Sequence, residues 1–171
     1  MENRFFIPTK LIKDKGYTQG NVSDDIITTT LRRVQDINLQ KILGTTFFKH
    51  LLDAIKNSTT TGDEDTLIDD YIAPYLVAQV DYRIGNHLVN EIRNKSVGRS
   101  ADDEHFTTST DGNVLKLQDD LRSDSQSYRN TLVGYLKDNC DLFETYKNYL
   151  CNFESVSPDK EQDGDTVISF I

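Results

Sequence analysis

The densest group of potential metal ligands is an acidic run at residues 63–70. Its carboxylates belong to Asp63, Glu64, Asp65, Asp69 and Asp70. Asp65 and Asp69 are four residues apart, so on a helix they would share a face and offer oxygen ligands to a divalent cation. The run lacks the alternating ligands, central glycine and final glutamate of an EF-hand loop. Because acidic residues favour the first turn of a helix, the run predicts a helix start rather than a metal site.

Histidines and cysteines show no metal or redox spacing. The three histidines, His50, His87 and His105, are isolated, and no HExxH motif is present. Cys140 and Cys151 lie eleven positions apart, which fits neither a CxxC motif nor a disulfide framework. We therefore predict no metal site and two reduced, structural thiols in a reducing compartment.

Motifs that support catalysis or phosphate binding are also missing from the sequence. The chain has no GxSxG, no GxxxxGK[ST] and no GxGxxG. We therefore expect no catalytic residue, no enzymatic activity and no cofactor. Basic groups with interleaved aromatics would indicate a nucleic-acid interface, but the Arg32–Arg33 pair and the lysines near residue 13 are too sparse for that pattern.

Length and charge set further limits. The 171 residues correspond to one domain, and a net charge of −9 disfavours nonspecific binding to nucleic acid. No stretch approaches the roughly 20 apolar residues of a membrane span, so we expect no membrane partner. Residues 1–41 carry seven basic and five acidic groups, whereas residues 42–171 carry 12 and 23. Head-to-tail complementarity between copies is one interpretation of this asymmetry, and a solvated surface is the other.

Apolar spacing predicts an early pair of helices. Ser23 can cap a first helix whose Ile27, Leu31 and Val34 share one face. We expect a break near Asn38 and a glycine stop at Gly44. A second helix follows at residues 47–57. Its apolar stripe contains Phe48, Leu51, Leu52 and Ile55.

The strongest pattern in the sequence predicts a long central helix. Apolar residues recur every four positions at Ile68, Ile72, Leu76, Val80, Ile84, Leu88 and Ile92. At 3.6 residues per turn such a stripe drifts by roughly 40° per step, so the helix must contact different neighbours at its two ends. Pro74 implies either a helix that starts there or a kink after Tyr71.

The remaining segments alternate between polar and helical patterns. Residues 94–113 have no helical period and predict a disordered loop or an extended β-arm, in which Asp111–Gly112 could turn a hairpin holding Phe106 and Val114. Helical spacing returns at 114–136 and again at 141–150. Residues 154–165 are acidic, and residues 166–171 are mostly apolar. This ending either folds back on its own domain or adds as a β-strand to a neighbour.

These patterns together predict an all-α protein. We expect a bundle of about four to five helices with a long central helix, an extended loop or β-arm at 94–113 and an extended C-terminal tail. The expected organisation is an N-terminal extension at 1–20, a helical domain at 21–153 and an acidic tail at 154–171 that ends in an apolar docking peptide.

The order of the elements over roughly residues 20–153 resembles a known family. The similarity is carried by ILG at 42–44 with Phe48 and Leu51 downstream, by YIAPYL at 71–76, by NKSV at 94–97, and by a tyrosine-rich helix with Tyr128 and Tyr135. It resembles the head–tail connector, or adaptor, proteins of tailed bacteriophages, in particular the ring proteins of crAss-like phages. A glycine would be expected where Ser96 stands, because glycine adopts positive φ more easily.

The resemblance implies a structural virion protein. Copies of the chain would form a ring, of twelve by analogy, with the portal protein above and another connector or a tail protein below. Genomic DNA would pass through without sequence-specific binding. The protein would be located at the head–tail interface of the virion, and in the host cytoplasm during assembly. We expect the interface to use Val167, Ile168, Phe170, Ile171, Arg32, Arg33, Asn94, Lys95 and Phe106.

Two other functions remain open on the sequence. The first is a small helical protein-binding module, a regulatory adaptor that docks through its C-terminal peptide. The second is a helical enzyme that uses the acidic run at 63–70 with a metal.

Overall fold

The computed structural model of the chain is mostly helical in its described part. It describes the backbone of residues 5–17, 22–97, 109–147 and 149, and the side chains of these residues apart from 86–97 and 109–114. The helices are α1 (Thr9–Lys15), α2 (Asp24–Arg33), α3 (Gln40–Leu43), α4 (Thr45–Asn57), α5 (Gly62–Thr66), α6 (Ala73–Val97) and α7 (Ser109–Asp138). Two π-helical segments, Val34–Leu39 and Leu67–Ile72, and a 3-10 turn, Cys140–Leu142, join them. The prediction of an all-α bundle is confirmed.

The central position of α6 is also confirmed. Helix α6 packs against α1, α2 and α7, and α7 provides its largest contact. The apolar stripe, which has one residue at every fourth position, is buried wherever its side chains are described. Ile72, Leu76 and Val80 are fully enclosed. Leu88 and Ile92 lie among the side chains that the structure does not describe. None of the described helices is long and apolar enough to cross a bilayer.

Pro74 is the second residue of α6, and a change of helix type directly precedes it. The preceding segment is π-helical, and the N–H of Ala73 bonds to the carbonyl of Ile68, five residues back. Proline has no N–H and cannot donate a backbone hydrogen bond to the preceding turn. The wider π-helical turn lets the helix continue into α6 although this bond is missing. The break expected near Asn38 is likewise a π-helical segment, so that prediction is wrong.

A sharp turn at Gly44 separates α3 from α4, as the sequence predicts. Gly44 has φ = 73°, a conformation that favours glycine. A side chain there would also collide with Tyr149, since an added Cβ would lie 2.5 Å from the Cδ2 atom of that ring. The turn therefore brings the last described residue of the chain against the α3–α4 junction.

Both ends of the predicted loop at 94–113 are helical. Helix α6 continues to Val97 and α7 begins at Ser109, so the hairpin turn suggested for Asp111–Gly112 is wrong. Each added helical residue gains a hydrogen bond, and a glycine costs only about 1 kcal/mol in a helix interior, so a 30-residue helix tolerates Gly112. Residues 98–108, with Phe106, lie outside the described residues.

The amino-terminal segment contributes to the core. Phe6, Ile7 and Ile12 are buried, and α1 packs against α2 and α6. The backbone N–H of Phe6 donates to the buried Oε1 of Gln35 at 2.9 Å, which satisfies a polar side chain inside the bundle. Residues 5–16 are therefore packed on the helices that carry the surfaces described below.

Candidate interaction surfaces on the α6–α7 pair

The acidic run at 63–70 starts a helix. Thr61 and Glu64 form a reciprocal capping box: Glu64 Oε2 accepts from the N–H of Thr61 at 2.8 Å, and Thr61 Oγ1 accepts from the N–H of Glu64 at 3.3 Å. Within the described residues no group of three potential ligands could hold a metal ion. The carboxylate of Glu64 is thus committed to the cap.

His50 has a partner that sequence spacing did not reveal. Its Nε2 lies 2.7 Å from Oε1 of Glu64, whose side chain is only 8% exposed, and its ring stacks on Phe47. The contact ties α4 to the cap of α5, so its role is structural. The TxxE motif at 61–64 indicates the capping box in the sequence. The contact of Glu64 with His50, 14 residues upstream, could not be predicted from spacing.

Helices α6 and α7 run antiparallel. Tyr71 stacks on Tyr135 with ring centroids 3.8 Å apart, and Ser125 donates a hydrogen bond to Gln79. Gly85 lies against Leu121 further along the pair. As the residue number increases along the first helix of the pair, the residue number of its contact on α7 decreases.

One side of this pair carries an acidic groove of about 760 Å³. We define it by its lining residues: Leu11, Lys15, Gly16, Tyr17, Asp69, Asp70, Ala73, Pro74, Val77, Ala78, Asp81, Leu121, Asp124 and Tyr128. The lining contains four carboxylates and one cation, together with apolar side chains that form its floor. Tyr128, at 47% exposure, presents a large ring beside them. An exposed aromatic with an apolar floor and a charged rim is typical of protein interfaces.

Asp81 is a buried member of the acidic groove. It is 3% exposed, and its Oδ2 accepts a hydrogen bond from the N–H of Tyr17 at 2.8 Å. Gly16 permits this approach, because an added Cβ would lie 2.6 Å from the same carboxylate oxygen and from the carbonyl of Ile12. The contact spans 64 residues, and no local pattern indicates it.

The pair also carries a basic cleft of about 290 Å³. We define it by its lining residues: Asn38, Lys41, Ile42, Tyr75, Gln79, Tyr82, Arg122, Ser125, Gln126 and Arg129. Three of these are cations and none is acidic. Arg83 Nη2 donates to Asn38 at 2.9 Å and so braces one wall.

Tyr75 forms the buried wall of the basic cleft. Burial raises the pKa of Tyr75 to about 12, and the positive charges of Arg129 and Arg83 partly offset that rise. The phenol therefore stays neutral at physiological pH, and the cleft has a positive charge that no side chain lining it neutralises.

The two surfaces lie on different sides of the helix pair. At 100° per residue, the cleft residues point roughly 140° away from the groove residues on α6, and roughly 120° away on α7. On α7, for example, Leu121 and Asp124 face the acidic groove, whereas Arg122 and Arg129 face the basic cleft. The molecule thus presents concave surfaces of opposite charge on two sides.

A family model matches residues 39–153, about two thirds of the chain. The chain belongs to the family of unknown function DUF6712. In this DUF6712 member the matched region contains the α6 and α7 walls of both surfaces, and also Lys41. The α1 part of the acidic groove lies before the match. No curated protein and no solved structure shows a significant match to the chain.

Of the predicted interface residues, only Arg32 and Arg33 have side chains that the structure describes. Arg32 and Arg33 are exposed on α2 and line neither surface, and Arg32 lies 5.9 Å from the ring centroid of Phe5. Asn94 and Lys95 lie on α6 with side chains outside the described part. The others, Phe106, Val167, Ile168, Phe170 and Ile171, lie outside the described residues.

Three cations of the basic cleft were missed by the sequence analysis. Arg122 and Arg129 are seven residues apart, which is two helical turns, so a shared face could have been read from the sequence. Lys41 lies on α3 and joins them only through the tertiary fold.

Proposed function

We propose that this chain is a structural protein of a tailed-phage virion, a head–tail connector that assembles as a ring below the portal. The ring extends the DNA channel and provides the platform for tail attachment. The support comes from the resemblance of the element order and from the surfaces of opposite charge on two sides of α6–α7.

Two surfaces of opposite charge on different sides of one subunit are suited to assembly as a ring. A heterologous interface repeats from copy to copy until the rotation closes, so each subunit needs two different, complementary patches. The acidic groove of one copy, with Asp69, Asp70 and Asp124, is complementary to the cations around the basic cleft of the next. Charge complementarity of this kind fixes orientation and disfavours wrong pairings.

The charge of the chain also suits a conduit for DNA. A net charge of −9 gives little attraction to phosphates, so DNA can slide through such a ring without being held. The proposed neighbours are the portal protein above and another connector or a tail protein below. The proposed location is the virion, with assembly in the host cytoplasm.

Paired charge reversals test the interface. Asp124→Arg in the acidic groove and Arg129→Asp in the basic cleft each place like charges across the junction, so each alone should abolish ring assembly with the portal protein of the same phage. Both positions are exposed, so the fold should be retained in circular dichroism. The double variant restores opposite charges and should recover rings.

The matched control reverses two exposed charges on the same helix outside both surfaces. Lys116→Asp and Asp120→Arg should assemble as the wild-type chain does. Rings from both single variants at wild-type yield would contradict the proposed interface.

A further inference from the structure

We propose that the acidic segment 154–165 of this chain docks in its own basic cleft, where its carboxylates pair with Arg122, Arg129 and Lys41. The docking itself does not depend on the proposed function. Only its consequence for assembly does.

The path of the chain leads to the basic cleft. Tyr149 donates from its hydroxyl to the backbone carbonyl of Lys41 at 3.2 Å, and its ring covers Gly44. Lys41 itself lines the cleft. The polypeptide therefore reaches the rim of the cleft five residues before the acidic segment begins.

The linker between Tyr149 and the acidic segment has a defined maximum reach. Five residues in extended conformation span up to about 17 Å. A ligand tethered so closely has an effective concentration of about millimolar or more, which favours the cleft of the same copy over that of another.

The charges of segment and cleft are complementary. The segment carries Glu154, Asp159, Glu161, Asp163 and Asp165 against one basic residue, Lys160. In the cleft, Lys41, Arg122 and Arg129 have no ion-pair partner among the residues that the structure describes. Guanidinium groups bind carboxylates with paired, charge-assisted hydrogen bonds.

A phosphate-bearing polymer is the less favoured occupant. The whole chain has a net charge of −9, so its field repels a polyanion, whereas the tethered acidic segment is already held beside the cleft. In a connector, a docked segment would cover the basic cleft and compete with the acidic groove of the next copy. A free subunit would then stay monomeric until the segment is displaced.

Limited proteolysis of the full-length chain tests the docking. An endoproteinase specific for glutamate cuts after Glu154 and Glu161, and mass spectrometry gives the rate at each site. Dilute protein is used without a portal protein, and light scattering on the same sample verifies that it is monomeric. Docking protects both sites, so Arg122→Gln with Arg129→Gln should speed cleavage about fivefold, as expected for the loss of two exposed ion pairs.

The matched control removes two exposed cations of α7 outside the cleft. Lys116→Gln with Lys137→Gln should leave the rates unchanged. Equal rates in the cleft variant and in the control would overturn the proposal. Protection that increases with protein concentration would also overturn it, because the segment would then come from another copy. Both results are obtained without a portal protein, so they stand apart from any failure of ring assembly.

Discussion

The carboxylate of Asp81 accepts a hydrogen bond from the backbone N–H of Tyr17 at 2.8 Å, and this contact holds the end of α1 against α6. It joins residues 64 positions apart, and both residues line the acidic groove. The groove therefore depends on the docking of α1, although the matched family region begins only at residue 39.

Gly16→Ala should destabilise the protein by about 1–3 kcal/mol. The new methyl group would lie 2.6 Å from Asp81 Oδ2 and from the carbonyl oxygen of Ile12, so α1 or α6 must shift. The free energy of unfolding in urea measures this cost. Gly134→Ala is the matched control: no heavy atom lies within 4 Å of its added Cβ, so it should stabilise α7 by about 0.5–1 kcal/mol. A Gly16→Ala variant as stable as the wild type would contradict the described packing.

Glu64→Ala should cost more stability than His50→Ala. Glu64 accepts from both the N–H of Thr61 and Nε2 of His50, so its loss removes a cap worth about 1 kcal/mol together with the link to α4. Asp65→Ala is the control, because Asp65 is an exposed member of the same acidic run. Thermal unfolding provides the ranking. A chelator should leave the melting temperature unchanged, and a drop on chelation would instead favour a metal in this run.

Stability should fall as the pH rises from 10 to 12. Tyr75 has a pKa near 10 when unfolded and about 12 when folded, so in this window the unfolded chain loses a proton that the folded chain keeps. The stabilisation is complete below pH 10 and is lost as the pH passes through 12, by up to about 2–3 kcal/mol. Burial also raises the pKa of Tyr135 and Tyr146, which adds to the loss in the same direction.

Urea unfolding at several pH values between 9 and 12 measures this slope. Tyr75→Phe removes one titrating group, so the slope of its unfolding free energy against pH should be smaller than that of the wild type. An identical slope in the two proteins would show that the hydroxyl of Tyr75 is not buried.

Deleting residues 166–171 should leave a folded monomer that fails to assemble. The segment contains Val167, Ile168, Phe170 and Ile171, which we propose to dock on a neighbouring subunit. Circular dichroism verifies the helices, and light scattering with the portal protein measures assembly. Thr166→Ala with Ser169→Ala is the control, since it changes only polar positions of the same segment. Normal rings from the truncated chain would rule out this role.

The sequence predicts those parts of the fold in which local spacing and burial agree. The stripe through Ile72, Leu76 and Val80 identifies α6, because one helix face must be apolar to be buried in a bundle. The limits of α6 and α7 differ from the prediction, since polar residues such as Asp111 occur in helices as well as in loops. The link from Asp81 to Tyr17 and the approach of Lys41 to Arg129 depend on tertiary packing, so no local pattern contains them.

The most direct test of the connector proposal is the mass of the purified full-length chain in solution. Light scattering is applied to the chain alone and then mixed with the portal protein of the same phage. We expect a species near 19.5 kDa to shift to a closed ring or to a portal-bound complex. A monomer that ignores the portal at every concentration would contradict the proposal and would favour a helical binding module.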